Sequence, residues 1–194
     1  TNIPDTTYIN LGICLYKLKR FNEAEDYLKL VLSGDPGCTR ANFAIGCNYM
    51  NQNKIKEGFK YFHKFCTKED NFDNLNIWGG QKIGKLLVRV SGGFGDKFNF
   101  VRYIIPLSEL YPDLMITFLI DKRLINLFKF ATKNITIKET AILLDYDYQI
   151  RALAIPYLLN INKIVPPKQC YILENNNKYL EWKHIIDDKC QKKN

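Results

Sequence analysis

The sequence predicts a mixed α/β protein in which helical repeats precede a parallel α/β unit, and three observations carry that prediction. Residues 1–70 repeat themselves at a spacing of about 34 positions. The apolar run Leu86-Leu87-Val88-Arg89-Val90 stops at Ser91-Gly92-Gly93-Phe94-Gly95, and Asp96 opens an amphipathic segment through Phe100, Val101, Ile104, Ile105 and Leu107. That is how a strand, a tight turn and a helix read in sequence. Strand-like and helix-like stretches then keep alternating as far as residue 159, which implies a parallel sheet.

Composition sets the outer limits. The 194 residues are 46% hydrophobic and 13% aromatic, enough for a substantial core. No run of about 18 apolar residues occurs and residues 1–5 are mainly polar, so neither a membrane span nor a signal peptide is read and a cytoplasmic location is expected. The net charge of +8 is dispersed, with a dense basic block only at 189–193. Without an accompanying helix-turn-helix, zinc-finger or RNA-stacking pattern it reads as a solvated lysine-rich surface, and nucleic acid is not the expected partner. Cys14, Cys38, Cys47, Cys66, Cys170 and Cys190 form no C-x-x-C pair, and only His63 lies near one of them, so no metal site is expected. Reduced thiols are the simplest reading.

Within residues 1–70 the repeat pairs Leu11 with Ile45, Gly12 with Gly46, Leu15 with Tyr49 and Phe21 with Ile55. It also pairs Glu23 with Glu57, Ala24 with Gly58, Tyr27 with Tyr61, Leu28 with Phe62 and Val31 with Phe65. Small residues at Gly12 and Ala24 let two helices approach, and the large apolar residues fall on the facing stripes. Pro36 closes the first unit. In the second, Asn42 stands where Tyr8 does, Gly58 replaces Ala24, and Asp70 replaces Pro36. The L-G-x-x-L and A-x-x-x-L spacings at Leu11, Gly12, Leu15, Ala24 and Leu28 resemble tetratricopeptide repeats. A third copy would put Asp96 at a large apolar position, so the array ends near Asp70. Two repeats bury too little to stand alone. They are expected to pack on the α/β part or on repeats preceding Thr1, and to serve either as a support for that part or as a surface for a protein partner.

The expected division is helical repeats at 1–72, a polar connector at 73–84 with Trp78 as an exposed aromatic, and the α/β part at 85–194. In the glycine cluster, Gly93 and Gly95 are read as permitting torsions and close approach that a Cβ would forbid, leading into a helix N-terminus that attracts anions. The dinucleotide fingerprint is only half met, since Phe98 occupies the third glycine position, and a plain NAD site is excluded. Further along, 114–120 reads as a strand, 121–131 as a helix capped by Asp121, and 135–137 as a short strand. Residues 145–150 lead into an apolar stretch at 151–159 that Pro156 is expected to bend or interrupt. Pro166 and Pro167 start an extended segment to residue 173, and 178–189 is a last helix carrying Trp182.

This order of features is familiar: repeats, a connector with Trp78, Gly84-Lys85-Leu86-Leu87-Val88, then Gly93-Phe94-Gly95-Asp96, Phe100-x-Arg102-Tyr103, Asp147-Tyr148-Gln149 and Pro156. It resembles the bacterial tetratricopeptide-containing glycosyltransferases whose catalytic part is related to the heptosyltransferases and has the two-domain GT-B fold. The similarity extends over nearly the whole chain. It implies a Rossmann-like N-terminal half that shapes the acceptor side, with Asp96 as general base toward an acceptor hydroxyl. Gly93, Phe94, Gly95 and Arg102 would bind substrate around it. On the residues alone, Asp96 is equally placed to cap the helix, and Arg102 to brace the helix against the sheet. Family members usually carry a leucine-like residue at the position of Phe94 and a small or polar one at that of Lys97, so the mouth of the site is bulkier and more basic here. The resemblance implies no cofactor and no metal. The nucleotide-sugar donor is a substrate, held chiefly by a C-terminal domain whose linker helix is expected near Asn194. The implied partner is an acceptor glycan or protein. The alternative is a non-catalytic repeat-containing scaffold that binds proteins.

Overall fold

The computed structural model describes residues 4–69, 75–128, 133–163 and 176–191. The chain opens with four helices, α1 (Asp5–Lys17), α2 (Phe21–Gly34), α3 (Thr39–Asn51) and α4 (Ile55–Glu69). The repeat read in the sequence extends to their packing. A Cβ on Gly12 would lie 2.7 Å from Leu28 Cγ, and one on Gly46 would lie 2.6 Å from the Phe62 ring, the same pair one unit later. The turns repeat as well. Lys19 (φ 62°) and Asn53 (φ 59°) both sit in the left-handed region. The next amides donate back to the helix just ended, Arg20 to the Leu15 carbonyl at 2.9 Å and Lys54 to the Tyr49 carbonyl at 3.0 Å, which satisfies carbonyls that a helix end leaves bare.

Where the copies differ, the structure gives the reason. Tyr8 stacks on Tyr27 at 6.0 Å in the first copy. Its counterpart Asn42 is buried and donates from Nδ2 to the carbonyls of Pro36 (3.1 Å) and Cys38 (2.9 Å), tying the first turn of α3 to the loop before it. Ile9, Leu28, Val31, Ala41, Ala44, Ile45 and Tyr49 make the core of this helical part. Helix α4 faces elsewhere. Its Ile55, Phe59, Phe62 and Cys66 belong to the core of the sheet, and Phe59 meets Tyr103 edge-on at 6.0 Å. The repeats thus rest on the α/β part.

The α/β part is built on five parallel strands among the described residues: β1 (Asn76–Ile77), β2 (Gly84–Arg89), β3 (Leu114–Leu119), β4 (Ile135–Lys138) and β5 (Tyr148–Arg151). They are ordered β1-β5-β2-β3-β4. Leu86, Leu87 and Val88 of β2 are all buried, as a central parallel strand covered on both faces requires. The connector is thus partly sheet, because β1 supplies its edge strand. Trp78 corrects the expectation of exposure. It is fully buried, its Nε1 donates to the Gln81 carbonyl at 2.9 Å, and it meets Tyr111 edge-on at 5.2 Å. Polar neighbours in sequence hid a residue whose backbone N–H is tied to the sheet through the Gln149 carbonyl at 2.8 Å.

The amphipathic segment after the glycines is two helices, α5 (Phe94–Val101) and α6 (Ile104–Leu110), parted at Arg102-Tyr103. Pro106 explains the break: it has no N–H for the Arg102 carbonyl, and its ring crowds that oxygen. Asp121 caps α7 (Lys122–Ile125), accepting the Arg123 N–H at 3.0 Å, but that helix is shorter than expected. Pro156 lies in the first turn of α8 (Ile155–Leu158), where a missing N–H costs nothing, so it begins a helix instead of interrupting one. The expected extended segment at 166–173 and the end of the 121–131 helix lie outside the described residues. A final helix, α9 (Asn176–Gln191), carries an exposed Trp182. No helix among the described residues is long and apolar enough to cross a membrane.

Two consequences are measurable. Gly46→Ala forces a methyl against the Phe62 ring and is expected to cost about 1–3 kcal/mol. Gly34→Ala, with nothing within 4 Å, stays within about 0.5 kcal/mol of the parent; urea midpoints separate the two. His63 packs on Tyr157 of α8 at 4.7 Å, and burial pushes its imidazole below the ordinary 6.5. The unfolded chain therefore takes up that proton first as the pH falls. Stability is fully present above about pH 6.5 and declines below it toward the lower folded value. Melting temperature against pH is expected to show this decline, and His63→Phe to flatten it.

Candidate functional site

Sheet order creates the site. From central β2 the chain passes to β3 on one side and later returns to β5 on the other, and such a reversal opens a crevice at the carboxyl ends of the strands. A cavity of about 370 Å³ lies there. It is lined by Arg89 at the end of β2 with Ser91 and Gly92 just beyond it, by Asp96, Asn99 and Phe100 of α5, and by Arg151 at the end of β5 with Leu153 just beyond it. Phe43, Phe62 and Phe65 of α3 and α4 close it from the helical part.

The turn that leads into α5 is held by its own polar groups. Asp96 is in the first turn of the helix, and its Oδ2 accepts the Gly93 N–H at 2.9 Å. Lys97 Nζ donates to the Gly92 carbonyl at 3.0 Å. Asp96 is therefore a helix cap, and the same exposed carboxylate lines the cavity. The conformational demand on glycine falls at Gly92, which has φ +96° and where a Cβ would meet the Asp96 carboxylate. This corrects the reading of Gly93 and Gly95. Gly93 has extended backbone that any residue adopts, and nothing lies within 4 Å of a Cβ on Gly95.

The other expected site residues are arranged around this turn without joining the cavity wall. Phe94 is exposed, its ring beneath the Arg123 guanidinium at 4.6 Å and the Lys97 ammonium at 5.6 Å. Arg123 in turn grips Asp121 through Nε (2.9 Å) and Nη2 (2.7 Å), and this holds the Asp121 carboxyl far below the usual carboxylate range. Arg102 follows α5, half-buried, with its Nε enclosed and without a hydrogen-bond partner. Of the five residues, Asp96 alone lines the cavity.

Two residues that no sequence motif marked stand beside it. Arg89 and Arg151 are register partners on adjacent strands. Arg89 donates to the Gln149 side chain, and the Arg151 guanidinium lies over the Phe65 ring at 5.5 Å. Each is the charged residue that ends a buried strand, a signal present in the sequence; that β2 and β5 are neighbours is not. Together they bring two guanidinium groups to the cavity that the Asp96 carboxylate also lines. Among the described residues no group of three or more His, Cys, Asp or Glu is placed to hold a metal ion. Cys47 is a partly buried thiol pushed up to about 11 by burial.

In comparisons with known proteins, no family model, no curated protein and no solved structure matches this chain.

Gly92→Ala is expected to destabilise the protein by about 1–3 kcal/mol, because it strains the backbone and displaces the capping carboxylate. Gly95→Ala, inside a helix with open space around it, is expected to leave the melting temperature unchanged or raise it slightly.

Proposed function

We propose that this chain is the acceptor-side part of a glycosyltransferase of GT-B type, its helices being tetratricopeptide repeats and its sheet unit the Rossmann-like acceptor half. The observation that carries the reading is the placement of Asp96, whose carboxylate opens onto the cavity at the carboxyl ends of β2 and β5. An acceptor hydroxyl in the cavity loses its proton to Asp96 as its oxygen forms the new bond to the anomeric carbon of the donor sugar. The bond from that carbon to the nucleotide phosphate breaks, and the nucleotide leaves with the electron pair. The hydrogen bond from Gly93 fixes one carboxylate oxygen and so orients the group. A nucleotide-sugar substrate and reduced thiols both suit a cytoplasmic setting.

A second reading, a protein-binding scaffold, is favoured by one observation: the helix cap alone accounts for Asp96. Asp96→Asn separates the two. The amide oxygen still accepts the Gly93 N–H, so the fold is expected to be preserved. In the protein as isolated from its native source, sugar transfer from the donor is then expected to fall by about 10²–10⁴. Unchanged transfer, with melting and circular dichroism also unchanged, would leave the scaffold.

A further inference from the structure

The cavity beside Asp96 is graded from apolar to polar. Phe62 is buried and Phe65, Val90, Phe100 and Leu153 are half-buried around it, whereas Ser91, Asp96 and Asn99 are exposed. Its rings come from two places, Phe43, Phe62 and Phe65 from the helical part and Phe100 from α5. Phe43 packs on Phe62 at 5.5 Å and on Phe65 at 5.1 Å, so the aromatic wall is formed before any ligand arrives. A wall already ordered gives up little conformational freedom on binding. Arg89 and Arg151, which also reach the cavity, are engaged, the first with the Gln149 side chain and the second over the Phe65 ring. The carboxylate differs. It has about four acceptor positions, and the Gly93 N–H takes one of them.

Size and lining select the ligand. An apolar cavity of about 150 Å³ holds one benzene ring, so this one, at about 370 Å³, holds two fused rings. Flat rings can meet the phenylalanines face-on or edge-on, contacts that add to the apolar area they bury and that an acyl chain forgoes. A sugar ring fits poorly, because its many hydroxyls would lie against phenylalanine without partners. A single hydroxyl is matched by the exposed carboxylate. Resting on the acceptor-side reading above, we infer that the cavity binds a hydroxylated two-ring aromatic compound, its rings against the phenylalanines and its hydroxyl on Asp96 as the acceptor. That hydroxyl gives its proton to Asp96 as its oxygen bonds to the anomeric carbon, and the nucleotide leaves with the electron pair. The product is an aryl glycoside.

The test uses the 194-residue protein and β-naphthol, whose own fluorescence reports binding, with naphthalene, n-octanol and maltose as competitors. Naphthalene, which lacks the hydroxyl, and n-octanol, which lacks the rings, are each expected to bind about tenfold more weakly than β-naphthol. Maltose is expected not to compete. Asp96→Asn is expected to weaken β-naphthol by about tenfold and to leave naphthalene unchanged, a difference that a purely structural cap would not produce. Asn99→Trp, at an exposed position that lines the cavity, is expected to fill it and to weaken both aromatic probes by about tenfold. Circular dichroism checks folding, and Asp96→Asn decides the matter if Asn99→Trp unfolds. No binding of β-naphthol, binding of n-octanol or maltose as tight as that of β-naphthol, or unchanged β-naphthol binding in a folded variant would overturn the inference. Sugar transfer is read separately. Binding of β-naphthol with unimpaired transfer in Asp96→Asn removes the glycosyltransferase and keeps the cavity, whereas impaired transfer without β-naphthol binding does the reverse.

Discussion

One buried face of α4 holds the two parts of the molecule together. Phe59, Phe62 and Cys66 leave the core that the other repeat residues share and enter the core of the sheet. Burying that many apolar and aromatic groups is worth several kcal/mol, far more than the exposed ion pairs of the repeats, such as Arg20 with Glu23, contribute. Everything at the site inherits this junction, because Phe62 and Phe65 wall the cavity from the same helix that packs against α8 and the turn at Ala152–Ala154. A cavity between two such parts is only as well defined as the joint between them, and here the joint is a packed core.

Much of this architecture was legible in the sequence where local pattern and packing agree. The repeat at Gly12 and Gly46 was readable because both glycines face a large residue at the equivalent position, Leu28 or Phe62, and a larger residue would crowd it. Strands β3 and β4 were readable because short apolar runs came after clear helix or turn signals. The failures share another cause. Trp78 was misjudged because its burial depends on a strand contributed by residues far ahead in the chain. The single helix expected across 96–107 was misjudged because apolar spacing persisted through Pro106 although the backbone hydrogen bonding did not.

At the site the division is similar. Asp96 was found because it comes after a turn whose chemistry is local, and its dual placement as cap and cavity wall is what its position allowed. Arg89 and Arg151 were missed because their significance lies in β2–β5 pairing, which no local pattern encodes. Glycine type was legible and glycine role was not. The positive φ at Gly92 places the turn's demand one residue ahead of the motif, and Gly95, with nothing within 4 Å of a Cβ, has no such demand on it.

The pairing of β1 with β5 has a consequence for how the molecule is made. Gln149 spans it, donating from Nε2 to the Leu75 carbonyl at 3.0 Å and accepting the Trp78 N–H on its own carbonyl at 2.8 Å. During synthesis the helices and β1 emerge well before β5, and at about 5–20 residues per second the intervening chain takes seconds to appear. For that interval Trp78 has no sheet to enter, and the nascent chain displays a large indole and an unpaired strand. The helical repeats, whose contacts are local, are ready first. The edge of the sheet closes last, so the newborn chain carries its greatest risk of sticking to others until the final strand arrives.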